Sequence, residues 1–263
     1  MALSKYFRVY ATQIKNNFVR EAVYRNNFLT GASVDFIWIL VEITLFTVIY
    51  SNTPTLAGWT KHQVYFFLGI FFSSDAFFTM LFQRNFWLFS DLVNKGELDI
   101  LLTKPIHPLF LAMSRWMNLT ALLNVIMGLA ICIKYAPLAG FRGGWYWLLV
   151  PLWFLVGTLS QVLLRFMFVI WTFWTERGFS ISRMYYQFFA LATKPDSIYP
   201  KAIRYLIMTI LPFAFISSVP ARALLFGLSN FEYALLFGVL SLFAVMDLYL
   251  WNKGLQRYQS ASS

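Results

Sequence analysis

Apolar runs of about the length needed to cross a bilayer recur along the chain, parted by short polar stretches that hold most of its Lys and Arg residues. A helix needs roughly 20 apolar residues to span the hydrocarbon core. On that measure residues 28–50, 64–89, 109–133, 145–174, 203–219 and 233–251 read as six spans. The fifth is short and closes with Pro212 and Pro220, and the apolar piece after it, 221–228, is too brief to cross. That piece reads as a re-entrant or interfacial helix, tolerated at depth only where protein buries its free backbone groups. Ahead of the first span, Phe7, Tyr10, Ile14, Phe18 and Ala22 recur at helical spacing with Lys5, Asn16 and Arg20 opposite. The pattern fits an amphipathic helix lying along the headgroups or, equally in kind, one packed on a partner protein. The expected fold class is all-α integral membrane: an N-terminal amphipathic helix over 1–27, then a transmembrane region over 28–263 with six helices and a re-entrant segment between helices five and six.

Composition agrees. Of 263 residues, 59% are hydrophobic and 12% charged, against about a quarter charged in a soluble domain. The net charge of +10 raises nucleic acid as a partner, but the cations are interleaved with apolar runs rather than clustered, which argues against it. The positive-inside rule accounts for them better. Lys5, Arg8, Lys15, Arg20 and Arg25 precede the first span, Arg84, Lys95, Lys104 and Arg115 border the second loop, and Arg177, Arg183, Lys194, Lys201 and Arg204 fall in the fourth. With Lys253 and Arg257 in the tail, the even loops and both termini are expected on the cytoplasmic side. The first residues lack the pattern of a cleavable signal peptide, so the first span is expected to be retained.

Candidate chemistry is sparse. No G-x-x-x-x-G-K-[ST] run occurs, so no P-loop is available to cradle a nucleotide. Cys132 is the single cysteine and His62 and His107 lie at opposite expected borders, an arrangement unsuited to a metal site or a catalytic pair. A membrane enzyme would need convergent acid, base or metal ligands, and none converge. Ionisable residues inside spans are costly and therefore candidates: Asp35, Glu42, Asp75, Arg165 and Asp247. They either line a translocation path or pair within the bundle, with Arg165 or with Thr44, Gln161 and Asn124 as partners. The first reading leads to an ion-coupled secondary transporter or channel, although no inverted repeat accompanies it.

The most distinctive stretch runs from Ser90 to Pro108. Gly96 can end one helix, Glu97 and Asp99 favour the start of another, and Pro105 stops it. A helix of about two turns results, and its apolar residues Leu98, Ile100, Leu101 and Leu102 suit a partner's groove or a lipid surface.

With Gly96-Glu97-Leu98-Asp99, Lys104-Pro105-Ile106 and Pro108, then Leu211-Pro212-Phe213, Val219-Pro220-Ala221, and a tail of Gly254-Leu255-Gln256-Arg257-Tyr258 with Ser260-Ala261-Ser262, the chain resembles the type-2 ATP-binding-cassette (ABC) permeases, more narrowly a bacterial subfamily of six-span exporter subunits. Lys104 departs from the pattern, where Arg is more usual, and loses a bidentate fork. The resemblance implies a permease of the bacterial cytoplasmic membrane that dimerises with an identical or paralogous permease above two cytosolic ABC ATPase subunits. ATP and Mg would be bound by those partners, with no cofactor and no catalysis on this chain. It implies a coupling helix near 97–103, with Gly96, Glu97, Leu98, Asp99, Leu101, Lys104 and Pro105 meeting the ATPase, and a connecting helix over 1–27. Pro212, Pro220 and Arg222 would help close the outer side, and the cargo would be hydrophobic or amphipathic.

Overall fold

The computed structural model describes residues 2–23, 25–175 and 178–258. Helix α1 (Ala2–Val23) leads into α2 (Arg25–Asn52). A two-residue ladder, β1 (Thr55–Leu56) with β2 (Trp59–Thr60), turns the chain through Ala57 and Gly58, both at positive φ. Thr60 and Gln63 then form a capping box that starts α3 (Lys61–Phe78). A π-helical stretch, Thr79–Gln83, joins α3 to α4 (Arg84–Asn94). Short α5 (Leu98–Leu102) and α6 (Pro108–Ser114) follow, then α7 (Ala121–Tyr135), α8 (Leu149–Val169), α9 (Gly178–Phe189), α10 (Lys201–Thr209), α11 (Ser218–Leu225) and α12 (Asn230–Arg257). Among the described residues four helical stretches are long and apolar enough to cross a membrane: Ser33–Asn52, Lys61–Asn94, Gly144–Phe173 and Asn230–Arg257.

The third expected span is broken. Between α6 and α7 the chain leaves helical geometry over 115–120, and its peptide groups are taken up by distant side chains. Trp116 N–H donates to Asn85 Oδ1 at 2.8 Å, and Asn85 Nδ2 returns a bond to the Trp116 carbonyl at 2.7 Å. Met117 N–H donates to Asn17 Oδ1, Leu119 N–H to both Glu21 carboxylate oxygens, and Asn118 N–H to the Met80 carbonyl inside the π-helical stretch. Non-helical backbone persists at such depth only when satisfied in this way.

The fifth expected span, 203–219, is not one helix. It comprises α10, a turn at Pro212, a 3-10 turn (Phe213–Phe215) and the start of α11. Pro212 has no N–H to continue α10, and α11 begins before Pro220 rather than after it. This region sits at the hairpin end of the molecule: Trp59 Nε1 donates to Ser197 Oγ at 3.0 Å, and the Trp59 ring meets Phe226 edge-on at 5.4 Å. Lys194, Lys201 and Arg204, expected at the same end as α5, therefore lie at the opposite one. Arg177 and Ser260-Ala261-Ser262 fall outside the described residues.

Helix α3 is the axis of the core, with Val64 through Phe72 all buried. Two small-residue steps let α7 approach it, Gly69 and Ser73 on α3 facing Gly128 and Cys132 on α7. A Cβ added at Gly69 would lie 2.6 Å from Cys132 Sγ and 2.8 Å from its backbone nitrogen. Small residues four apart permit such backbone approach where lipid supplies no hydrophobic drive for helix association. Cys132 is thus a core residue. By contrast α2 buries only a stripe, Ile39, Glu42 and Phe46, and exposes Phe36, Ile37, Trp38, Val41 and Val48.

Candidate functional site

The α4–α5 corner is built as its residues dictate. Gly96 takes φ +74°, which a residue with a Cβ rarely adopts. Lys95 Nζ pairs with Asp91 Oδ2 at 3.0 Å on the exposed surface, where such a pair contributes little, although the hydrogen bond and charge of Asp91 raise the Lys95 pKa. Glu97 stands at the N-cap position of α5 without a side-chain cap bond and Asp99 lies in its first turn, where the amide dipoles favour a carboxylate. Tyr258, near the chain's end, lies beside Asp99; burial first, then the Asp99 charge, raise its hydroxyl pKa.

The apolar residues of α5 divide in two. Leu98 and Leu101, three apart on one face, are 0% and 3% exposed and join Phe86, Phe89, Phe173 and Trp251 in a core cluster. Ile100 and Leu102 are 60% and 42% exposed. The expectation that all four project is corrected: two anchor the helix and two project, while Glu97, Lys104 and Pro105 are exposed at its ends.

Helix α1 presents three faces. Phe7, Ile14 and Phe18 are exposed on one. Arg8, Lys15 and Asn16 lie on a second, also exposed. The third docks on the α5–α7 segment through both apolar and polar groups, with Val9 against the α5 cluster and the Tyr6 and Tyr10 rings 5.0 and 6.4 Å from Phe110. Lys5 Nζ donates to the Pro105 carbonyl at 2.8 Å, Tyr6 Oη accepts from His107 N–H, and Gln13 Oε1 accepts from Ser114 Oγ. Asn17, 3% exposed, holds the Arg115 carbonyl and the Met117 N–H. The helix is therefore bonded to this chain from Lys5 to Glu21.

Beside the broken third span lies a cleft of 1120 Å³ bounded by α1, α2, the π-helical stretch, α4 and the start of α7. Asp35 and Asp75 both line it, with Trp38, Trp87, Trp116, Arg20, Glu21 and Arg84. Asp35 accepts from Asn124 Nδ2 at 2.5 Å and Asp75 from Gln161 Nε2 at 3.2 Å, so two of the five intramembrane candidates pair with side chains named from sequence. Thr79 bonds Gln83 along the same wall. Arg20, Arg84 and Arg115 stand 4.4, 5.1 and 5.3 Å from the Trp116 ring centroid.

The other candidates lie apart from this cleft. Arg165, 1% exposed, pairs with no carboxylate among the described residues. Its Nη1 donates to the Ser182 carbonyl at 2.6 Å, and Tyr186 and Tyr185 lie 4.4 and 4.8 Å away, so it ties α8 to α9. Glu42 Oε2 and both Asp247 carboxylate oxygens are buried without a hydrogen bond among the described residues.

At the hairpin end a charged cluster joins elements that sequence alone left unconnected. Asp196, fully buried, receives Arg204 Nε at 2.8 Å and faces Arg222 Nε at 3.5 Å, and Arg222 Nη1 reaches Glu232 Oε1 at 2.6 Å. Glu232 also forms a capping box with Ser229 at the start of α12. Of the residues expected at an outer closure, Arg222 is thus central, Pro220 lies buried in the first turn of α11 and Pro212 precedes the 3-10 turn. Asp196, Asn17, Glu21 and Asn85 had no signal in the sequence beyond being polar.

A bundle of apolar helices with broken, internally satisfied segments defines a multi-pass membrane protein. Residues 36–262 match the family model of the ABC-2 family transporter protein, and the chain belongs to that family. Membership makes it a permease component of an ABC transporter and implies partnership with ABC ATPase subunits. No curated protein matches the chain.

Proposed function

We propose that this chain is one of two permease subunits of an ABC exporter and that cytosolic ATPases drive it through α5. The observation that carries this reading is the division of α5: Leu98 and Leu101 fix it to the bundle while Ile100 and Leu102 project. A projecting pair on an anchored helix transmits force, because a push on it moves the cluster around Phe89 and Trp251 rather than bending a loop. Helix α1, bonded from Pro105 to Leu119, would carry the same displacement into the third span.

The α5 end is then cytoplasmic, and six crossings are made by α2, α3 with α4, α6 with α7, α8, α9 with the turn after it, and α12. Support for α9 as the fifth is that Ser182 meets Arg165 in α8 whereas Ala192 accepts from Ser217 near the hairpin end. α10 and α11 would form the outer closure, held by Asp196 and Arg222. The cargo is hydrophobic or amphipathic.

The test is reconstitution with the ATPase partners. Ile100→Asp is expected to abolish transport-coupled ATP hydrolysis while the complex still assembles. Unchanged coupling would defeat the reading. A second reading draws on Asp35 and Asp75 sharing one cleft: ion-coupled transport by the permease alone. It requires flux in liposomes under an ion gradient with no ATPase present.

A further inference from the structure

The cleft carries more information than its position. At its α5 end Arg20 and Arg84 both face the Trp116 ring, which Arg115, outside the cleft lining, also approaches. Among the described residues no carboxylate lies within ion-pair distance of any of the three. Glu21, the nearest acid in sequence, gives both oxygens to Leu119 N–H. Arg20 Nη2 donates to Asn17 Oδ1 at 2.6 Å and to the Met117 carbonyl at 3.3 Å, both uncharged acceptors; burial, and next the repulsive charge of Arg84, lower the Arg20 pKa, while the Glu21 charge raises it. An anion between them would relieve that repulsion and gain charge-assisted hydrogen bonds.

Further along the cleft the chemistry reverses. Asp75 precedes Arg84 by nine positions on one nearly continuous helix, about 13 Å at 1.5 Å per residue, and Asp35 lines the cleft with it. An anionic group would be held at the arginine end and repelled by the two acids. Thr79 and Gln83 line the wall between these poles, and an apolar side is supplied by Val34, Trp38, Ile39, Phe72 and Leu88. The volume, 1120 Å³, is at the upper end of small-ligand sites, which run to about 1,000 Å³. A free inorganic anion would fill only a corner of it.

We infer that this cleft binds an amphiphile whose head carries a net negative charge on oxygen, the head seated between Arg20 and Arg84 and the apolar tail along Trp38, Phe72 and Leu88. As a statement about cargo this rests on the permease reading, but binding is measured on the permease alone. Loss of coupling at Ile100 and loss of binding here are therefore separate results.

The test uses the full chain in phosphatidylcholine nanodiscs doped with a phosphatidylglycerol carrying a photoreactive diazirine in its acyl chain, or with the matching phosphatidylcholine probe. Labelled peptides are mapped by mass spectrometry. The anionic probe is expected to label the peptides holding Trp38, Phe72 and Leu88 about tenfold more than the choline probe, because both heads carry the phosphodiester and only the choline head adds a cation that the two guanidiniums repel. The exposed Val48 face should take both probes equally. Arg84→Gln and Arg20→Gln should each reduce anionic labelling of the cleft toward the choline level, while Arg84→Lys keeps much of it. Should a Gln variant fail to fold, the contrast between the two probes on the native chain still decides. Equal labelling by both probes would overturn the inference. So would displacement of the lipid probe by inorganic phosphate as readily as by a short-chain anionic phospholipid, since the tail would then contribute nothing.

Discussion

Glu21 spends both oxygens of its carboxylate on one backbone group, the Leu119 N–H, at 2.8 and 3.0 Å across 98 residues of sequence. The bond pins the C-terminal part of α1 to the point where the third span resumes. A charged acceptor lost from a peptide group that is poorly hydrated costs about 1–3 kcal/mol. Glu21→Ala is therefore expected to lower the melting temperature of the purified protein by several degrees, measured by scanning fluorimetry in detergent. Glu21→Gln, which keeps one acceptor oxygen, should recover part of the loss.

The two sides of α5 should separate experimentally. Leu101→Ala removes a buried side chain from the cluster of Phe86, Phe89 and Trp251, a change costing about 2–5 kcal/mol. Ile100→Ala, at an exposed position, should change stability by about 0.5 kcal/mol or less. Thermal unfolding of the permease alone checks this without any partner. Equal destabilisation by both would mean that α5 is not anchored on the face described.

The reach of the sequence can be judged from particular segments. α2, α3 with α4, α8 and α12 were readable because each carries an unbroken apolar run of spanning length, a purely local property. The break at 115–120 was not, since Arg115, Asn118 and Thr120 are too few among the apolar residues of 109–133 to mark it. The groups that satisfy it, Asn17, Glu21 and Asn85, lie 31 to 100 residues away. α9 was hidden for a related reason. Ser182, Arg183, Tyr185 and Gln187 make it look like a loop, yet part of that polarity faces protein, at Arg165, rather than lipid. The partners proposed for Asp35 and Asp75 came from a short list of polar residues within spans. The destination of Arg165, a carbonyl and two tyrosines, could not, because backbone acceptors leave no trace in residue identity.

The α3–α7 contact offers a test of packing alone. Any side chain at Gly69 meets Cys132, including its backbone nitrogen, and one at Gly128 meets the backbone nitrogen of Ser73 at 2.7 Å. Backbone cannot swing aside as a flexible side chain can, so the helices must separate. Overpacking of this kind costs about 1–3 kcal/mol and occasionally more. Gly69→Val is expected to abolish a monodisperse peak in size-exclusion chromatography, whereas Cys132→Ala, which deletes only a sulfur facing the Phe66 carbonyl, should leave it intact.

The hairpin-end cluster should show the asymmetry of a buried ion pair. Asp196 is fully buried with Arg204 and Arg222 around it, and Arg222 also holds Glu232. Breaking a buried pair by removing one partner costs about 3–5 kcal/mol, whereas replacing both with apolar residues of similar size can be close to neutral; here loss of Asp196 leaves Arg222 with Glu232 alone, while loss of Arg222 strips a partner from both acids. Asp196→Leu and Arg222→Met are each expected to lower the melting temperature strongly, and the double variant to be more stable than the sum of the two would give. The coupling is diluted on one side by Arg204, 42% exposed at its side chain, which can turn to water when Asp196 is lost. Arg222 has no such exit, being 14% exposed. It keeps Glu232, however, which Arg222→Met would leave unpaired, so Arg222→Met should rescue Asp196→Leu only in part and the triple variant with Glu232→Gln more fully, and melting curves of the two decide it.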